Sequence, residues 1–404
     1  MGYLNLDYTP GRDEIVCKFY VEPSKGVDME YVLEQLAAES SVGTWTELTT
    51  MKPAIQEKLA AHTFRVEGNI AYVSYPFDAF ERGNMSQLLS SVAGNVFGLD
   101  ALSNLRLLDI SFPEKMLRYY PGPRYGIEGL RKLLKVKNRP FLGTIIKPKM
   151  GLSPGEHARV AYDAWVGGCD LIKDDENLTN QGFNPFDERV AETLKMRDKA
   201  EDETGERKGY IVNITAPDVE ELYRRQDFVL DHGGEYVMLD VVIAGYVTLQ
   251  SLRNRDMESA IHGHRAMHAA FTRNKKHGIH MAVLAKVFRL LGVDQLHIGS
   301  LLGKMEGPRE DVLYCRDVLT QEWRGIRKTL PVASGGLNPV LIPRLLDGFG
   351  SDFVIQMGGG IHGHPMGSRS GAKAARDALN AALEGVALGD YGSRELRAAL
   401  EKWG

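Results

Sequence analysis

The segment GGCDLIKDDE, residues 167–176, runs a short apolar strand straight into one lysine and three acids. Side chains alternate along a strand, so Lys173 and Asp175 share one face while Asp174 points to the other. Glu176, just past the strand, can turn inward. Taken alone, the tetrapeptide is most simply a lysine salt-bridged to acids at a rim. Two carboxylates at one strand end also suit Mg2+, which takes oxygen ligands and keeps waters or substrate oxygens. An ammonium cannot ligate a metal, but a lysine carbamate, formed from the neutral amine and CO2, can. Burial and the nearby Lys147 and Lys149 push Lys173 toward the neutral amine, while the acids push the other way. Composition leaves that competition open.

These groups need a frame. From about residue 140, short apolar runs alternate with amphipathic helical stretches. The strand candidates are FLGTIIKP, CDLIKDD, YIVNIT, YVMLDVV, SAIHGHR, DQLHIG, PVASGG and FVIQMGG. GEHARVAYDAWVGG, DVEELYRRQDFVLDHGG and MAVLAKVFRLLG are among the helices between them. That count predicts a (β/α)8 TIM barrel over 126–404, with further C-terminal helices, rather than an open doubly wound sheet. The preceding residues, 1–125, read as a smaller ferredoxin-like α+β domain in βαββαβ order. Its strands are expected at DEIVCKFYVEP, TWTELT, NIAYVSYPF and LRLLDISFP, and its helices at DMEYVLEQLAAESS and NMSQLLSSVAGNVFG.

Bulk properties bound the function. The 404 residues are 43% hydrophobic and 25% charged, as in ordinary globular chains. A net charge of -4 gives no electrostatic case for nucleic acid or an anionic membrane surface. No apolar run is long enough for a bilayer span and no signal peptide is evident, so the expected location is cytoplasmic. Cys17, Cys169 and Cys315 are too scattered for a disulfide framework or a CxxC metal site.

Nearly every expected barrel strand carries its reactive groups at its C-terminal end, the face on which barrel active sites are built. Strand one ends with Lys147 and Lys149, and strand two with Lys173, Asp175 and Glu176. Strand three ends with Asn213, and strand four holds Asp240. Strand five carries His262, His264 and Arg265. Strand six ends at His297, with Lys304 beyond. Strand seven ends with Ser334, Gly335 and Gly336, and strand eight with Gly358, Gly359 and Gly360. Paired glycine clusters at strands seven and eight favour phosphate binding over two plain tight turns, and Arg265 with the lysines can hold a second anion. A bisphosphate substrate follows. The HGHRAMH run could be a zinc site, yet acid–base work or phosphate contact by His264 and His297 fits neighbouring carboxylates better.

Seven motifs in order, AAESSVGTWTEL, GNVFGL, GTIIKPKMGLSP, GGCDLIKDDE, IHGHRAMHAAFTRNKKHGIH, HIGSLLGKMEG and QMGGGIHGHP, resemble the large subunit of ribulose-1,5-bisphosphate carboxylase/oxygenase (RuBisCO). The segment from DENLTNQGFNPFDERV to GYIVNITA is similar to the archaeal form III branch. The resemblance implies addition of CO2 and water to ribulose-1,5-bisphosphate through an enediolate held by Mg2+, giving two 3-phosphoglycerates, with O2 as a competing reactant. It implies that Lys173 is carbamylated by activator CO2 and, with Asp175 and Glu176, ligates Mg2+. Lys147, supported by Lys149, would protonate the final C2 carbanion. His264, with His268 beside it, would assist proton transfer, and Lys304 would hold the incoming carboxylate.

One phosphate would meet Gly336, Gly358 and Gly359, next to Gly335 and Gln356, together with Thr44 and Trp45. The other would meet Arg265 and His297, and Ser334 would bind a sugar hydroxyl. Glu39, Thr44, Trp45 and Asn95 would complete the barrel site of a partner subunit, making a homodimer, or an assembly of dimers without small subunits, the active form. Ile145 stands where plant-type enzymes have a threonine, Leu239 where they have a histidine, and Met357 where they have a phenylalanine. The main alternative is a RuBisCO-like enolase or isomerase on a related sugar phosphate. A Schiff-base aldolase and a non-catalytic phosphosugar-binding barrel rank below it.

Overall fold

The computed structural model describes residues 2–255, 258–302 and 308–404. They form two compact units: Met1–Pro121 with Met267–Leu291 and Glu322–Ile326, and Gly122–Ala266 with Gly292–Gln321 and Arg327–Gly404.

The first unit is built on strands β1 (Ile15–Pro23), β2 (His62–Glu67), β3 (Ile70–Tyr75) and β4 (Leu102–Ser111). They lie antiparallel in the order β4-β1-β3-β2. Ile15, Cys17, Phe19 and Val21 alternate inward along β1 and are fully buried, the pattern of a sheet with one covered face. Helix α1 (Met29–Glu39) buries Val32, Leu33, Leu36 and Ala37, and Asp28 caps its first turn.

One expected strand is corrected. TWTELT, residues 44–49, alternates in sequence but is a loop, exposed from residue 45 onward. The strand in that place of the βαββαβ order is β2. Only Thr63 is buried along it, so it carried little apolar signal. The second expected helix stops at Val92, and a short 3-10 turn follows at Asn95–Gly98.

Met267–Leu291, which the sequence reading gave to the barrel domain, groups with this sheet. Gly278 and Ile279 pair parallel with β4, and His280 N–H donates to the Leu107 carbonyl at 2.8 Å. Lys286 Nζ reaches Asp109 Oδ1 at 2.5 Å and the Ile110 carbonyl at 2.9 Å.

In the second unit, among the described residues, eight parallel strands close into a barrel. In chain order they are Phe141–Ile145, Leu171–Lys173, Gly209–Asn213, Tyr236–Asp240, Ala260–His264, Gln295–Gly299, Leu330–Ser334 and Val354–Met357. Each coincides with an expected strand, two of them starting one residue earlier, at Gly209 and Leu330, and closure rules out the open sheet. At the N-terminal end of the barrel, helix Gly126–Leu134 turns Ile127, Leu130 and Leu134 into a core shared with Phe141, Leu171, Leu330 and Val354. This apolar core lies at the end opposite the face that carries the polar groups. Helices Ser368–Glu384 and Arg394–Trp403 end the chain. Among the described residues no helix is long and apolar enough to cross a membrane.

Candidate active site

The second barrel strand presents its acids as alternation requires. Lys173 is fully buried. Its Nζ donates to the Asp174 carbonyl at 2.7 Å and lies 3.5 Å from Glu176 Oε2. Asp175 Oδ2 accepts from Lys147 Nζ at 2.5 Å, and its Oδ1 accepts from the Asn177 backbone and side-chain N–H groups at 3.1 and 3.0 Å. Asp174 faces away, accepting from the Tyr210 hydroxyl at 2.7 Å and the Asn213 backbone N–H at 3.0 Å. His157 Nε2 and Arg189 Nε stand 3.1 and 3.3 Å from the same carboxylate.

Burial is the larger influence in the competition over Lys173. Desolvation drives the amine below its ordinary pKa of 10.5, although Glu176, Asp175, Asp240 and Asp174 all oppose it. Lys147, expected to act on Lys173 by charge repulsion, instead engages Asp175. Burial also penalises the carboxylates of Asp175 and Glu176, but both end below their usual range. Hydrogen bonds from Lys147 and Asn177 outweigh burial at Asp175, and the charges of Lys173 and His264 outweigh it at Glu176.

Beside this cluster, Asp240 Oδ1 lies 2.7 Å from His264 Nδ1, and His264 Nε2 lies 3.6 Å from Glu176 Oε2. The His297 ring sits edge-on to both strand-five histidines, with centroids 4.8 Å from His262 and 4.9 Å from His264. His297 Nδ1 is 2.8 Å from Ser334 Oγ, and His262 Nδ1 is 2.8 Å from Gln295 Oε1. Burial pushes His262 and His297 well below the usual imidazole range, so both rings are neutral. No group of three His, Cys, Asp or Glu side chains is arranged to hold a metal among the described residues. HGHRAMH therefore offers no zinc ligand set there.

The glycines have physical reasons to be glycine. Gly335 and Gly336 sit at φ +109 and +73, a region that side-chain-bearing residues rarely occupy. A Cβ on Gly358 would come 3.1 Å from Lys147 Cε, so the lysine arm lies directly against this backbone. Gly359 faces open space. Gln356 is buried, and its amide makes no hydrogen bond among the described residues. Burial draws the Arg265 guanidinium down to about 10.

The structure thus gathers Lys147, Lys173, Asp175, Glu176 and His264 at one mouth, with His297 and Ser334 adjoining. Lys149 is exposed at the rim. Lys304 lies outside the described residues. Glu39, Thr44, Trp45, Asn95 and His268 belong to the first unit. There Thr44 and Trp45 line a cavity of about 490 Å³ with Tyr3 and Glu34, and His268 Nδ1 lies 2.9 Å from Thr272 Oγ1.

Two positioning groups were not assigned from sequence. Asn213 Nδ2 donates to the carbonyls of Asp175, Glu176 and Leu178 at 3.4, 3.1 and 3.1 Å, stapling the loop that carries both acids. Asp240 orients His264. Both residues had been placed at strand ends, but their partners lie on other strands.

A closed parallel barrel with a buried lysine, paired acids and a histidine–aspartate couple at its C-terminal mouth defines a barrel enzyme that handles protons and oxygen ligands. The chain belongs to the ribulose bisphosphate carboxylase large-chain family: that family's catalytic domain matches residues 126–403 and its N-terminal domain residues 2–116. It is 48% identical to a ribulose bisphosphate carboxylase of Methanosarcina mazei, over 99% of this chain and 98% of that one. It is 50% identical to one of Pyrococcus furiosus, over 100% and 97%. Among solved structures, the octameric enzyme of Pyrococcus horikoshii OT3 superposes with a TM-score of 0.95 at 49% identity, covering 99% of this chain and 96% of that one. The dimeric archaeal enzyme of Hyperthermus butylicus gives 0.94 at 42%, covering 100% and 98%. These relatives lend the enolase alternative no support.

Proposed function

We propose that the chain carboxylates ribulose-1,5-bisphosphate to two molecules of 3-phosphoglycerate, with oxygenation of the same substrate as a side reaction. One observation carries the reading. Lys173 is fully buried beside two acids, and burial favours its neutral amine, the form that reacts with CO2. Asp175 and Glu176 supply oxygen donors, and a carbamate on Lys173 completes an all-oxygen set of the kind Mg2+ takes. When bound, Mg2+ and the carbamate supply Lewis acidity toward the sugar carbonyl and a base for its neighbouring carbon.

The chain's own residues do the rest. Lys147 Nζ holds a proton beside Gly358 for delivery to C2 of the last carbanion. His264, oriented through Nδ1 by Asp240, moves protons at Nε2 on the side of the C3 oxygen. Neutral His297 and the Arg265 guanidinium, still charged near neutral pH, bind one phosphate, and Ser334 binds a sugar hydroxyl. Gly335, Gly336, Gly358 and Gly359, beside Gln356, cradle the other phosphate. Lys149 supports Lys147 from the rim, and Lys304 holds the carboxylate made from CO2.

Glu39, Thr44, Trp45 and Asn95 complete the site of a second copy, so the working unit is a homodimer without small subunits. Trp45 is 77% exposed in the single chain, the state of an aromatic that a partner covers. The domain boundary falls near residue 125. The buried, unpaired Cys17, Cys169 and Cys315 fit a cytoplasmic setting.

The test is fixation of labelled CO2 into acid-stable product with ribulose-1,5-bisphosphate and Mg2+, with and without bicarbonate preincubation. Preincubation is expected to raise the initial rate, and Lys173→Ala to abolish fixation. Absence of acid-stable label from the native enzyme rejects the assignment.

A further inference from the structure

His362 has no part in the site as described so far. It closes the short turn Gly359–His362, which contains two of the strand-eight glycines. Its Nε2 lies 2.9 Å from Thr144 Oγ1, and its Nδ1 lies 2.9 Å from Ser368 Oγ. Burial, reinforced by the charge of Lys147, pushes this imidazole down to about 4, so the ring is neutral and has one N–H and one lone pair. The Thr144 hydroxyl has the Ile145 carbonyl within 3.4 Å as its own acceptor. Either tautomer makes both contacts: with the proton on Nε2 the ring donates to Thr144 Oγ1 and accepts from the Ser368 hydroxyl, and with it on Nδ1 the two roles exchange. The ring becomes a strut between the end of the first barrel strand, the glycine turn and the start of helix Ser368–Glu384.

That strut spans two groups whose separation matters. Lys147 lies three residues beyond Thr144, and its Cε packs against Gly358 so closely that a Cβ there would approach to 3.1 Å. We propose that His362 is a positioning residue that sets Lys147 against the Gly358–Gly359 phosphate cradle and so governs the fate of the last carbanion. The inference rests on the carboxylase reading.

The carbanion at C2 has a phosphate ester on the adjacent C1, and under the proposed function that phosphate lies in the Gly358–Gly359 cradle against which Lys147 packs. Two fates compete. A proton moves from Lys147 Nζ to C2 and gives 3-phosphoglycerate. Otherwise the electron pair on C2 forms a C1–C2 double bond and expels phosphate from C1. The enol of pyruvate and inorganic phosphate result, and the enol tautomerises to pyruvate. Neither fate needs an oxidant or reductant. A lysine shifted from C2, or a phosphate freed to align its C–O bond with the carbanion, favours elimination.

The experiment measures pyruvate and 3-phosphoglycerate from the same turnovers of the Mg2+- and bicarbonate-activated enzyme. His362→Leu removes both bonds. Its pyruvate-to-phosphoglycerate ratio is expected to rise about five- to tenfold, the equivalent of one lost hydrogen bond of ordinary strength, and KM for ribulose-1,5-bisphosphate to rise with it. Thr144→Val is expected to reproduce the shift from the other end, and it carries the test if the leucine variant does not fold. His362→Gln keeps a donor toward Thr144 and is expected to return the ratio toward the native value.

A folded leucine or valine variant with the native ratio overturns the proposal, even if its turnover is slower. So does a glutamine variant no better than leucine. A native enzyme that makes no 3-phosphoglycerate sinks the carboxylase reading itself, which is a separate outcome.

Discussion

Replacing Asp174 by Asn tests whether the strand that carries Lys173 and Asp175 is held from behind by charge. Asp174 and Arg189 are both fully buried. Burial alone would raise the Asp174 carboxyl, yet Arg189, His157 and Tyr210 bring it from 3.8 down to about 2. A downward shift of that size corresponds to about 2–3 kcal/mol of folded-state stability. Asn keeps an acceptor for Tyr210 but cancels the charge and leaves the Arg189 guanidinium unpaired, and breaking a buried pair costs about 3–5 kcal/mol. A loss of about 3 kcal/mol is therefore expected near neutral pH.

Urea unfolding reads this loss, with the fluorescence of Trp165 as a local reporter, since its ring meets Tyr210 edge-on at 6.4 Å. Because the folded carboxyl is the stronger acid, its contribution is complete above about pH 4 and is lost as pH falls through about 2. The gap between native and Asp174→Asn should close over that interval. Removing the partner as well, in Arg189→Met with Asp174→Asn, should recover about 1–3 kcal/mol relative to additivity. A single variant that loses less than about 1 kcal/mol, or two variants that simply add, would refute the clamp.

Two further outcomes follow from the same cluster. Asn213→Ala frees the three carbonyls at 175, 176 and 178; the Mg2+ concentration for half-maximal activation should rise about tenfold, as when a supporting contact behind a metal ligand is lost, with KM for the sugar bisphosphate unchanged, and trapping of labelled carbamate against Mg2+ concentration checks it. Because burial holds Lys173 below 10.5, CO2-dependent activation should rise with pH as the amine loses its proton and level off before that value; a rate still climbing through pH 10.5 would count against a buried, depressed amine.

The barrel was legible because its strands are buried on both faces. Leu171, Ile211, Val237 and Val354 stand in apolar runs that solvent exposure never interrupts. The opposite orientations of Lys173 and Asp174 followed from strand alternation alone. β2 was not legible, since a strand with one buried residue has almost no periodic signal and TWTELT imitated it better. Partnerships across strands were hidden for a different reason. Thr144 and His362 are 218 residues apart, and no local pattern says which neighbour a hydroxyl or imidazole will find. The state of Lys173 depended on burial depth, which only a closed barrel fixes.

Lys173 and its neighbour Asp174, at the end of one short strand, therefore do opposed work. Toward the mouth, burial favours a neutral Lys173, which can become an anion only by taking up CO2. Toward the shell, burial is offset by Arg189 and hydrogen bonds, and Asp174 stays charged. The difference lies in the partners. Among the described residues Lys173 donates only to a backbone carbonyl at 2.7 Å, with Glu176 at 3.5 Å, whereas Asp174 has a guanidinium, an imidazole, a hydroxyl and a backbone N–H around it. Under the proposed function the site accepts a CO2 and then a cation, and it gains from an incompletely satisfied amine. The strand bearing it gains from a fully satisfied neighbour, because the loop following Lys173 would otherwise follow every change of charge at the mouth. Weakening the shell should thus impair activation before it impairs substrate binding. Weakening Lys173 itself should abolish activation while leaving the barrel folded.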